Sequence, residues 1–145
     1  MSKMRDTIIT VYVDTAKIIR LSNKKKHKQA IMSCIIIGDN HYDFPDKEEF
    51  ESRIHQKSKV SWVGAAMDIF KHEQDFVIIK KIIPKKNNKS IIKMCDSKKC
   101  AGTTHKDGYV GKVKMNQQED YSIQFLVNSE GKEMTFKIDP KIRII

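Results

Sequence analysis

The densest collection of metal-binding side chains lies in one stretch, Cys95-Asp96-Ser97-Lys98-Lys99-Cys100-Ala101-Gly102-Thr103-Thr104-His105. Thiolates and imidazole are the donors that soft and borderline divalent metals take, so Cys95, Cys100 and His105 would supply three ligands of a metal site. A fourth would come from a distant part of the chain, where His55 and His72 are the candidates. The Cys-x4-Cys spacing is wider than that of a zinc knuckle, and a lysine-flanked loop with incidental thiols has the same composition. No cofactor is therefore implied.

A second chemistry is electrostatic. The chain carries a formal charge of +10, and residues 80–114 hold eleven lysines against two aspartates, which places +9 of that excess in one segment. Lys80, Lys81, Lys85, Lys86, Lys89, Lys98 and Lys99 would form the heart of a face that attracts phosphates, with affinity falling as salt rises. Nucleic acid or another polyanion is thus a possible partner. Against this, single-strand binders stack bases on aromatic rings, and the segment offers only Tyr109. Arginine, the usual base reader, is absent from it. A solvated face, or lysines that discourage edge-to-edge pairing of sheets, accounts for the same residues.

Signatures of catalysis are missing from the sequence: there is no Gly-x-Ser-x-Gly elbow, no phosphate-cradling glycine loop and no His-Glu-x-x-His. Asp46, Glu48, Glu49 and Glu51 cluster, but surface charge explains them. The reading is of a protein that is not an enzyme.

The elements that must position these residues are mostly strands. Tyr121, Ile123, Phe125 and Val127 alternate with Ser122, Gln124 and Leu126, the two-residue period of a half-buried strand. Asn128-Ser129-Glu130-Gly131-Lys132 supplies a turn, and Met134, Phe136 and Ile138 resume the alternation, which predicts a hairpin. Asp139-Pro140 bends the chain before a last strand at Ile142 and Ile144. Upstream, Ile8 to Val13, Ile31 to Ile37, Val60 to Val63, Phe76 to Ile83, Ser90 to Met94 and Tyr109 to Met115 are rich in strand formers, making about nine strands in all. Pro84 and the following Lys85-Lys86-Asn87-Asn88-Lys89 predict the turn of a second hairpin, joining Phe76 to Ile83 with Ser90 to Met94. Two short helices are expected, one capped by Asp14 through Ile18, Ile19 and Leu21, the other after Pro45 with Phe50 and Ile54 at helical spacing. Trp62 reads as a core residue between sheets and Cys34 as a small buried hydrophobe.

Residues 1–145 fit one domain. The opening Met1-Ser2-Lys3-Met4-Arg5-Asp6 is polar, and apolar runs such as Cys34 to Ile37 are strand-sized, so the expected location is the cytoplasm, with no membrane partner and with reduced cysteines.

Three segments resemble a bacterial family, the AidA/PixA inclusion-body proteins and their small β-sandwich relatives. Ile9-Thr10-Val11-Tyr12-Val13-Asp14-Thr15-Ala16-Lys17-Ile18-Ile19 is similar to the family's opening strand and the Asp-Thr that follows. Lys59-Val60-Ser61-Trp62 resembles its central strand, and Tyr121 to Ile145, with Ile138-Asp139-Pro140-Lys141-Ile142, resembles its closing hairpin. The resemblance implies an all-β, Greek-key immunoglobulin- or cupredoxin-like sandwich and a protein that accumulates or assembles. The lysine-rich middle departs from that pattern. Cys100, His105, Gly108 and Val110-Gly111-Lys112-Val113 also look like the closing loop of plastocyanin-type copper proteins, but Tyr109 stands where the axial methionine belongs. The first expectation is a self-associating binding or structural protein, a homo-oligomer built through sheet edges or a face of the sandwich.

Overall fold

The computed structural model describes residues 6–24, 28–40, 50–67, 73–85, 90–95, 105–114 and 116–145 of the 145-residue chain. Among them ten strands and two helices follow in the order β1 (Thr7–Val13), α1 (Thr15–Asn23), α2 (Lys28–Met32), β2 (Ile35–Asp39), β3 (Glu51–Ile54), β4 (Ser58–Ala66), β5 (Phe76–Pro84), β6 (Ile92–Met94), β7 (His105–Val110), β8 (Gln118–Ser129), β9 (Lys132–Ile138) and β10 (Lys141–Ile144). They form an all-β sandwich. The first sheet runs β2-β1-β4-β7-β6 and the second β3-β10-β8-β5, with β9 also on β8. Most neighbours are antiparallel, but β1 lies parallel to β4 and β10 parallel to β3.

Alternation in the sequence becomes the wall of the core. On β1 the odd residues Ile9, Val11 and Val13 are fully buried, and on β8 Tyr121, Ile123, Phe125 and Val127 are likewise. With Val60, Trp62, Ile79, Ile142 and Ile144 they make one continuous cluster between the sheets. Burying such side chains contributes about 1.5–3 kcal/mol each before the cost of ordering the chain. The sheets approach most closely where β4 meets β5. A Cβ on Gly64 would lie 2.6 Å from both Cγ1 and the carbonyl oxygen of Val77, so only hydrogen fits there.

The hairpin β8–β9 forms as the alternation predicts, and Glu130 and Gly131 turn it with positive φ of 52° and 81°. Asp14 caps α1, its carboxylate accepting from the Lys17 amide at 3.4 Å, and Ile18 and Ile19 pack inward. Trp62 and Cys34 are buried as expected.

Three local expectations are corrected. Phe76 to Ile83 and Ser90 to Met94 do not form a hairpin: β5 pairs with β8 in the second sheet and β6 pairs with β7 in the first. The chain crosses between sheets there, held by the Glu119 carboxylate, which accepts from Ser90 Oγ at 2.9 Å and the Ile91 amide at 3.2 Å. Phe50 and Ile54 are not on a helix; Glu51–Ile54 is a strand, beside β10. Their spacing fits both periods, because Ser52 between them is also buried. Ile31 and Met32 end α2 rather than opening β2. The remainder of the second expected helix, around Asp46 to Glu49, lies outside the described residues, as does Met115.

Candidate functional site

The sandwich is tied at its rims by carboxylates. Asp75, at the entry to β5, is 8% exposed and accepts from Thr15 Oγ1 (2.6 Å), Ser129 Oγ (2.7 Å) and the Glu130 amide (3.2 Å), joining the start of α1 to the β8–β9 turn. Asp39 at the end of β2 accepts from Ser52 of β3 at 2.6 Å and links the two sheets. On the surface of the second sheet Arg143 donates to Glu51 at 2.8 Å, and this guanidinium holds the Glu51 carboxyl below its usual value. Across the middle, Trp62 Nε1 donates to the Tyr121 hydroxyl at 3.0 Å with the rings edge to face, and burial pushes the Tyr121 hydroxyl's pKa up. Each of these polar groups is spent on architecture.

The expected metal donors separate into different environments. Cys95, just after β6, is disulfide-bonded, which departs from the reduced state expected and removes its sulfur as a thiolate ligand. Cys34 is a free, buried thiol. His105 lies on β7, half-exposed, with Nε2 3.7 Å from Asp107 Oδ2. Cys100 and His72 lie outside the described residues. His55 is not brought to His105: it precedes Ser58, which pairs with Val110, whereas His105 pairs with Val63. Five residues of strand, roughly 17 Å, separate the two positions. Among the described residues no group of three or more His, Cys, Asp or Glu is placed to hold a metal ion.

Of the seven expected polyanion-binding lysines, Lys80, Lys81 and Lys85 are described and exposed, and Lys86, Lys89, Lys98 and Lys99 lie outside the described residues. Lys80 lies inside, and Lys81 directly after, a register shift where β5 bulges against β8. The outer edge of β5 thus carries a bulge, two lysines and Pro84, all devices that keep a free edge from pairing.

A cavity of about 510 Å³ opens beside β2, floored by Met32, Ile35, Ile37, Phe50 and Ile138, with Lys28, Lys137 and Asp139 also lining it. Asp139 is engaged by Ser122 Oγ at 2.5 Å.

The outward faces of the two sheets differ. On the first sheet the side chains alternating with the buried set are Ile8, Thr10 and Tyr12 of β1, Ile36 of β2, and Ser61, Val63 and Ala65 of β4. Register lines them up across the strands: Ile36 beside Tyr12 beside Ala65, then Thr10 beside Val63, then Ile8 beside Ser61. No charged side chain interrupts them. Charge returns on the next row and on β7, where Lys59, Lys93 and Asp107 surround Tyr109. Among the described residues, three of the four large hydrophobics that are exposed, Ile8 (46%), Met67 (39%) and Tyr109 (48%), belong to the strands of this sheet or follow directly from them. On the second sheet the outward rows mix Phe76 and Leu126 with Lys81, Lys137 and Glu133. Sequence reasoning missed the uncharged face. Its only signal was that β1 is β-branched or aromatic on both alternating positions, a pattern that a fully covered strand gives as well.

No protein-family model matches the chain. No curated protein matches it either. Among solved structures it is similar to the crystal structure of an inclusion body protein, PixA, from Burkholderia cenocepacia J2315, with a TM-score of 0.61 and 12% identity over 97% of this chain and 95% of that one. The fold is shared over nearly the whole of both chains, in line with the distant resemblance to that family. That neighbour's title names an inclusion body protein and no reaction. No helix among the described residues is long and apolar enough to cross a membrane.

Proposed function

We propose that this chain is a non-catalytic, single-domain protein of the cytoplasm that accumulates by associating with copies of itself. The observation that carries the reading is the end-to-end fold likeness to an inclusion body protein. It is supported by the way the buried carboxylates are engaged: Asp75 accepts from two hydroxyls and an amide and Glu119 from a hydroxyl and an amide, an arrangement that fixes chain crossings. Sedimentation velocity over a wide concentration range tests it. The expected result is mass that rises with concentration; a monomer at every concentration would refute the reading.

A second reading rests on the exposed lysines of β5. Lys80, Lys81 and Lys85 project from the outer strand of the second sheet and would bind a polyanion through phosphate neutralisation alone. Titrating the protein with single-stranded DNA at increasing salt separates this from self-association. Binding that is absent even at low salt removes it.

A further inference from the structure

We propose that the outer face of β2, β1 and β4 is where a second copy of this chain docks, sheet against sheet about a two-fold axis. The inference rests on the self-association reading and names its surface.

A chain of net charge +10 repels its own copies, so two of them can meet closely only where the charge is absent or balanced. Most of the surface fails that condition. The outer edge of β5 carries Lys80, Lys81 and a bulge, and β6, only three residues long, carries Lys93. The edges of β3 and β9 alternate charged residues, Glu51 and Arg53 on one and Lys132, Glu133 and Lys137 on the other. The β2–β1–β4 face meets the condition. Its three aligned rows hold Ile36, Tyr12, Thr10, Val63 and Ile8 without a charge among them.

The border of that face is of mixed sign. Lys59 Nζ lies 3.6 Å from Asp107 Oδ2, and Ser61 Oγ donates to the same carboxylate at 2.7 Å. A copy related by a two-fold axis brings the same mixed-sign border, so Lys59 or Lys93 of one can face Asp107 of the other.

Area sets the strength. Three strands about 4.8 Å apart, with the uncharged rows spanning about five residues at about 3.3 Å each, give a patch on the order of 200 Å². Stable interfaces cover about 800 Å² per partner, so this patch serves as the apolar centre, with Tyr109, Lys59 and Lys93 as its rim. Such an interface is weak and reversible, and because salt screens the repulsion between two copies of net charge +10 while leaving the uncharged centre untouched, its strength should rise with salt. A contact made through the lysines of residues 80–114 would instead weaken with salt.

The test uses the full chain. Sedimentation velocity at low and high salt, on the unaltered protein and on the double variant Ile8→Lys/Thr10→Lys, reads the dissociation constant directly. The expected result is association that strengthens with salt for the unaltered chain and a weakening of about tenfold or more in the variant at a given salt, the equivalent of about 1.4 kcal/mol. Phe76→Lys, an equally exposed position on the other sheet, should leave association unchanged. A double variant with native circular dichroism that associates like the unaltered protein overturns the surface while leaving self-association standing. A strict monomer overturns both. If the double variant does not fold, hydroxyl-radical footprinting of the unaltered chain decides. Ile8 and Met67 losing reactivity with rising concentration while Phe76 keeps it supports the face, and equal reactivity throughout in an associating sample overturns it.

Discussion

In the middle of the sandwich Trp62 meets Tyr121 through ring contact and one hydrogen bond, whereas at the rims Asp75, Glu119 and Asp39 join the layers through carboxylates and hydroxyls. The middle works by filling space. A ring at 0% exposure, with Gly108 leaving room beside its edge, sets how far apart β4 and β8 can be. The rims work by direction, each carboxylate fixing where a connection enters or leaves a sheet. Packing therefore sets the depth of the fold, and the polar clamps set its connectivity. The second job is the one the crossing from β5 to β6 demands, because nothing in its loop composition tells the chain which sheet to join.

The contrast can be broken from either side. The largest effect is expected in the middle: Trp62→Ala removes the largest fully buried side chain and strands the Tyr121 hydroxyl, and should cost about 4 kcal/mol in urea unfolding. A rim substitution should cost less. Asp75→Ala leaves Thr15 Oγ1, Ser129 Oγ and the Glu130 amide without their shared acceptor and should cost about 2 kcal/mol, with amide exchange accelerating first in α1 and the β8–β9 turn. If Asp75→Ala proves the more damaging of the two, the division between packing and clamping fails. The smallest effect belongs to Glu51, on the surface of β3. Its carboxyl is held below the ordinary 4.5 by Arg143, so the unfolded chain binds its proton first, and the pair stabilises the fold above about pH 4.5. That contribution fades as pH falls through the lowered folded value. Urea midpoints of the unaltered protein and Glu51→Gln should therefore differ slightly at neutral pH and converge in acid.

Much of the framework was legible in the order of residues. Tyr121 to Ile138 alternates so strictly that both strands and their turn follow from it, and Asp14 announces α1 through its cap. The failures have a common cause: local chemistry does not say which layer a segment joins. Pro84 and the lysines and asparagines after it make a good turn whether the chain returns beside itself or crosses to the other sheet. Phe50, Ser52 and Ile54 all face inward, but a small buried serine hides the two-residue period and leaves a spacing of four that imitates a helix. Ile31 to Ile37 reads as one apolar run because the turn at Ser33 and Cys34 contains no glycine or proline. The candidate site was the least legible part. Ile8, Thr10, Tyr12, Val63 and Ala65 are residues that any buried strand would carry, and only the assembled sheets show that nothing among the described residues covers them fully.

The parallel pairing of β10 with β3 bears on how the molecule is made. Lys141 pairs with Glu51 ninety positions earlier, and Ile142 and Ile144 complete the second sheet's share of the core. As the chain leaves the ribosome, β3 waits without its β10 neighbour until the chain ninety positions further on has been synthesised. Contacts this distant in sequence close slowly. During that interval the growing chain exposes a strand edge and an unfilled groove, surfaces that a neighbouring nascent chain could meet first. Under the proposed self-association, the timing of synthesis is thus as much a determinant of orderly accumulation as the finished surface.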